Sequence, residues 1–214
     1  MKLRLLFGIL ILVIGLSPLA AQDDGDDWNG DPGEEVPADD WVGFMPSLYS
    51  RGDQTFGISF GVALPTFFVG SGGELLPRNI VIGGTGSLSY DYFFGSHLFV
   101  GGDVQGMFAP TLGDHMLFII PLNIRAGYQF IVKRFEFPLS LGFGFAAQQF
   151  KTSKSYSYAG FFIKPKASAF FRFNPDWSFG INTAWWWLPQ TPKNSGDTVH
   201  GHFFEATVAV RYHF

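Results

Sequence analysis

The chain contains no cysteine, so neither a disulfide framework nor thiolate chemistry is open to it. Charge is also scarce. Asp, Glu, Lys and Arg make up 15% of the 214 residues, where an average soluble domain carries roughly 25%. A net charge of −4 leaves no basic footprint for general nucleic-acid binding. Beyond the N-terminus no apolar run approaches the roughly 20 residues that a membrane-spanning helix needs. What is abundant is glycine (27), phenylalanine (26) and aromatic residues as a class (18%). Low charge with high Phe and Gly suits a protein whose outer surface does not face water.

The first residues, "MKLRLLFGILILVIGLSPLAAQ", place Lys2 and Arg4 before an apolar stretch from Leu5 to Leu16. Small residues follow from Ser17 to Ala21. This is the pattern of a signal peptide over 1–21, with a retained N-terminal anchor as the alternative. Residues 22–40 hold nine of the 18 acidic residues and no Lys or Arg. With three Gly and two Pro, this tract is expected to be disordered, and 22–53 to form a periplasmic segment outside the folded domain.

From Gln54 onward the sequence alternates. In "TFGISFGVAL" Phe56, Ile58, Phe60, Val62 and Leu64 share one face, opposite Thr55, Gly57, Ser59, Gly61 and Ala63. The pattern recurs over 80–92, 98–108, 118–130, 135–147, 161–173, 177–187 and 204–214, always with large apolar residues on one face and small, polar or charged residues on the other. A soluble sandwich or lipocalin-like barrel would need plentiful surface Lys and Glu. An even number of strands with an apolar outside and a polar inside instead predicts an all-β fold over 54–214, an eight-stranded antiparallel up-and-down transmembrane β-barrel. Closure removes the sheet edges that lipid cannot satisfy. The links after even strands are short ("FGSH", "IVKR", "NPD"), and those after odd strands, 65–79, 109–117, 151–160 and 188–203, are longer. This puts both termini in the periplasm and the protein in the outer membrane.

"AWWWLP" fits this frame. Trp185 and Trp187 are expected to point outward near the extracellular end of strand seven and Trp177 outward at its periplasmic start. Ten residues at about 3.3 Å each and about 40° of tilt separate two aromatic girdles by roughly 25 Å. Trp186 should face the barrel mouth, as a plug or as a stacking wall for a ligand.

The chain ends "TVAVRYHF", with Val208, Val210 and Tyr212 alternating up to a terminal Phe214. This resembles the assembly signal of bacterial outer-membrane proteins, which implies the barrel-assembly machinery as a partner during biogenesis and outer-membrane lipid as the surroundings. With the eight strands, the chain resembles the small barrels of the OmpA-transmembrane, OmpX and OmpW type. The long acidic tract departs from a plain OmpX pattern.

The inward charges nearly balance: Arg125, Lys164, Lys166, Arg172 and Arg211 against Asp91, Asp103, Glu136 and Glu205. An eight-stranded interior is just wide enough for side chains, and unpaired charge there is costly, so a sealed hydrogen-bonded network is expected. Glu136 and Arg172, at the same end of adjacent strands, form the expected pair. Inward glycines such as Gly57, Gly61, Gly142, Gly144 and Gly180 leave some room, and Lys164 and Lys166 would favour anions in a narrow conduit. "RGD" at 51–53 sits at the periplasmic rim, the wrong place for adhesion. "HGH" (His200, His202) with His115 offers imidazoles on loops, a weak metal signal. Asp114, His115, Ser195, Asp197 and His200 supply residue types for a rim enzyme but no ordering motif. The preferred reading is a non-enzymatic structural or surface-interaction barrel without cofactor or metal. The alternatives are a narrow channel for small hydrophobic molecules or ions, which the OmpW resemblance motivates, and a rim enzyme.

Overall fold

The computed structural model describes residues 49–77, 80–111, 115–151, 156–190 and 198–214. The expected signal peptide and nearly all of the acidic segment lie outside them. Among the described residues nine strands follow in order: β1 (Gln54–Val69), β2 (Leu75–Leu76), β3 (Gly83–Phe93), β4 (Leu98–Thr111), β5 (His115–Val132), β6 (Phe135–Lys151), β7 (Tyr156–Arg172), β8 (Trp177–Gln190) and β9 (Val199–His213). β1 and β3 to β9 are the barrel staves, each antiparallel to its neighbour. β1 also pairs with β9 from Thr55↔His213 to Val69↔His200, which closes an eight-stranded barrel. The two-residue β2 pairs only with the top of β1, as a small flap.

Period-two alternation becomes an inside and an outside. Phe60, Leu122, Ile124, Phe145 and Val208 are each more than 60% exposed on the outer face. Their strand neighbours Ser59, Asn123, Arg125 and Thr207 are buried within. A soluble protein does not expose a continuous apolar surface of this extent; a barrel in lipid does. The start of β1 and the C-terminal residue meet at one rim, where Gln54 N donates to Phe214 O (2.9 Å) and Phe214 N to Gln54 O (3.1 Å). The turns at this terminal rim are tight. Lys133 takes φ 55° in the β5–β6 turn. Between β7 and β8 the Asn174 side chain accepts from the backbone N–H groups of Asp176 (3.0 Å) and Trp177 (2.7 Å).

At the far rim the staves run past the expected boundaries. β1 continues to Val69, β5 begins at His115, β6 ends at Lys151, β7 begins at Tyr156 and β9 at Val199. Three of the four longer links shrink to 112–114, 152–155 and 191–198, while the first, 70–82, carries β2. His200 and His202 therefore sit on a strand, not in a loop. Ile80, expected on the outer face, lies outside the strands and is partly buried against an inner apolar cluster.

Candidate functional site

The lumen is filled in three layers. Nearest the far rim, the staves other than β3 turn apolar residues inward. Met107, Leu117, Ile119, Phe162, Trp186, Leu188 and Phe203 form one buried cluster. Trp186 is completely buried, with Phe162 and Phe203 rings at 6.0 and 6.4 Å. It is a plug, the first of its two expected roles. Its indole N–H donates to Glu205 Oε2 (2.7 Å) in the layer below, and the Lys164 ammonium lies 4.9 Å from the ring centre. Trp186→Phe keeps an aromatic ring but removes the donor and part of the indole volume. It should lower unfolding free energy by about 1.5–3 kcal/mol, the worth of a hydrogen bond to a charged group, read as a lower denaturant midpoint at unchanged slope.

The middle layer carries charge. Arg125 spans β3, β4 and β5. It donates to Asp91 through Nε (3.0 Å) and Nη2 (2.7 Å to each carboxylate oxygen), and to Asp103 through Nη1. This is the bidentate geometry that a planar guanidinium fits best. Lys164 pairs with Glu205 (3.1 Å) and donates to Gln105 Oε1 (2.6 Å). Gln105 Nε2 in turn donates to Glu205 Oε2 (2.8 Å). Lys164 is therefore committed to Glu205 and Gln105, whereas the alternative conduit reading has it favouring anions alongside Lys166. Several inward glycines are closely backed by their neighbours. A side chain at Gly180 would run into Phe170, and one at Gly101 into Asp91.

At the terminal rim Glu136 is completely buried. Its Oε1 is 3.5 Å from Arg172 Nη1, so the expected pair forms as an ion pair longer than a hydrogen bond. Its tighter partner is Arg211, which reaches Oε2 from β9 across the lumen. Tyr49, assigned by sequence to the segment outside the barrel, enters here. It is buried, stacks on Phe93 (3.8 Å, 9°) and donates to Glu136 Oε2 (3.1 Å). One neutral tautomer of His213 satisfies the chain: Nδ1–H donates to Tyr49 Oη (2.9 Å), and Nε2 accepts from Ser178 Oγ (3.0 Å). Arg211 Nε donates to Ser178 Oγ (3.2 Å). Burial pushes the Tyr49 phenol well above its ordinary range, which keeps it a donor. With Phe99, Tyr49 and Phe93 form a second aromatic cluster at this end.

Outside, Trp177 lies near the terminal rim beside Tyr212 (4.9 Å). Trp185 and Trp187, half-buried near the far rim, donate from their indole N–H groups to Nδ1 of His202 and His200, both 3.2 Å. The imidazoles are thus indole partners, and no group of three possible metal ligands occurs among the described residues. The His115 side chain, Asp114, Ser195 and Asp197 lie outside the described residues. At 51–53, Gly52 takes φ 106° and Asp53 accepts from Ser50 N (2.8 Å), so RGD forms the turn into β1. Val208, Val210, Tyr212 and Phe214 share the outer face of the last strand and its end.

Solved structures share this architecture. Neisserial surface protein A matches with TM-score 0.54 and 11% identity, over 75% of this chain and 96% of its own. OprG from Pseudomonas aeruginosa matches with TM-score 0.50 and 13% identity, over 78% and 97%. Both likenesses are of fold, that of outer-membrane barrels. In sequence, two uncharacterised proteins of Treponema pallidum are each 30% identical, over 63% and 50% of this chain. The chain spans 60% and 38% of their lengths. An uncharacterised protein of Borreliella burgdorferi is 23% identical over 74% of this chain and 82% of its own. A family model covers residues 35–212, most of the chain. The protein belongs to that family, a Treponema family.

Proposed function

We propose that this is a sealed outer-membrane barrel with a structural or surface-interaction role, and neither an enzyme nor a pore. The observation that carries this reading is the order of the lumen layers. An aromatic cluster closes each end, and Arg125, Lys164 and Arg211 are each bound to a carboxylate. An eight-stranded barrel has room for that filling and little else. Periplasmic termini, a cleaved leader over 1–21 and delivery by the barrel-assembly machinery belong to the same reading. Its support is the tight turns at the terminal rim and the outward row Val208, Val210, Tyr212 and Phe214.

The test is single-channel recording of refolded protein in planar bilayers. A silent membrane is expected from a barrel that is folded by heat-modifiable migration, and Lys164→Ala/Lys166→Ala serves as the control. Discrete steps whose amplitude or ion preference changes in that double variant would replace the sealed barrel with a conduit.

A further inference from the structure

Two imidazoles on the outer face have one ring nitrogen engaged and one free. His200 and His202 stand two residues apart on the outward side of β9, half-buried near the far rim. His202 lies in register between Trp187 of β8 and Phe67 of β1, and His200 between Pro189 and Val69. The Trp185 indole donates to Nδ1 of His202 and the Trp187 indole to Nδ1 of His200. Ring contacts close the cluster. Phe67 is 4.4 Å from the His202 ring and 5.8 Å from Trp185, and Trp187 stacks on His200 (5.7 Å, 16°).

An indole N–H only donates. The Nδ1 facing it therefore carries no proton, and a neutral imidazole must then carry its proton on Nε2. The two tryptophans thus set the same tautomer in both rings. It is the wrong tautomer for a metal at Nε2, which needs the lone pair there. It is the right one for a partner that only accepts. Donation into Nδ1 also polarises the ring and strengthens Nε2–H as a donor. Among the described residues neither Nε2–H finds an acceptor. Glu74, on the flap, lies against Gly70.

Position identifies the acceptor. Trp187 stands roughly 25 Å along the membrane normal from Trp177, so these rings lie at the depth of lipid headgroups. Further down the same outer face Val208 and Phe60 present an apolar surface for acyl chains. The group at headgroup depth that accepts, never donates and carries negative charge is the phosphodiester. Residues two apart on one strand face are separated by roughly 7 Å. With N–H···O⁻ bonds of about 2.8 Å, that spacing lets the two free oxygens of one phosphodiester take one donor each.

We propose that this outward indole–imidazole cluster binds the phosphate of a membrane phospholipid, with His200 and His202 donating from Nε2. Trp185 and Trp187 are positioning residues that fix the tautomer. The proposal rests on the outer-membrane reading alone, because the cluster lies outside the lumen and stands whether or not the barrel conducts.

The test uses full-length protein refolded in maltoside micelles, its folding checked by heat-modifiable migration, with isotope-labelled histidine. Imidazole nitrogen resonances should show the Nε2–H tautomer at His200 and His202. Dimyristoylphosphatidylglycerol should shift both Nε2–H resonances saturably. Dimyristoylglycerol, the same chains without phosphate, should leave them in place, and inorganic phosphate should act several-fold more weakly than the phospholipid. His200→Phe/His202→Phe, which touches no lumen partner, should fold and retain the phospholipid about tenfold more weakly in native mass spectrometry. Equal shifts with the two lipids, or phospholipid retention unchanged in the double variant, would overturn the proposal. So would micromolar zinc binding that the double variant loses. A response to inorganic phosphate as strong as to the phospholipid would overturn the lipid as source. Should the double variant fail to fold, the wild-type resonances under the two lipids decide.

Discussion

Arg125→Met should be the most destabilising loss of a single charge in the lumen. Two carboxylates, Asp91 and Asp103, share this one guanidinium, and all three groups are at most 8% exposed. Removing one partner of a buried ion pair costs about 3–5 kcal/mol, because the other charge stays buried and unanswered. Here two charges are left. Lys166 lines the same cavity as Asp91 and is the fallback cation, so adding Lys166→Met should deepen the loss. The neutral triple variant Arg125→Met/Asp91→Asn/Asp103→Asn should recover most of the stability, since replacing a whole ionic cluster is often close to neutral. Denaturant midpoints of refolded protein measure this directly. A single variant as stable as wild type would mean that the cluster is not desolvated as described.

Val208→Arg should block assembly altogether. Val208 is 66% exposed on the outer face of β9. It stands between Phe60 of β1 and Ile181 of β8, at the seam where the barrel closes. A lipid-facing arginine near the membrane midplane costs about 2–4 kcal/mol. The last strand is also the one whose outward row resembles the assembly signal, so the charge acts on biogenesis as well as on stability. The readout is the heat-modifiable band, from cells and from detergent refolding. Val208→Leu should be silent. A normal folded band from Val208→Arg in both settings would remove this face from lipid.

These two sites differ in how far the sequence announced them. Strand count, antiparallel order and the outward row were legible because large and small residues alternate without interruption through the middle of each stave. Legibility failed at the far rim for a physical reason. There the inward residues are themselves apolar, as with Leu117 and Ile119 beside Phe118 and Ile120, so both faces are greasy and the period disappears. Strand ends then look like loops, which is how His200 and His202 were placed. The charged residues of the lumen could be named one by one, but their partners could not all be assigned. Glu136 and Arg172 sit on adjacent staves and pair as expected. Arg211 reaches Glu136 from β9, a relation fixed only by barrel closure. Tyr49 left no trace, because a single aromatic outside the periodic region carries no face.

Tyr49 also changes how load enters the molecule. Because it is held by Phe93 of β3, Glu136 of β6 and His213 of β9, the chain before β1 is moored across the barrel mouth instead of hanging from one stave. Tension along that leading segment would first shear a clasp shared by three strands, and only afterwards unzip β1 from β9. Anything tethered upstream would pull on three strands at once.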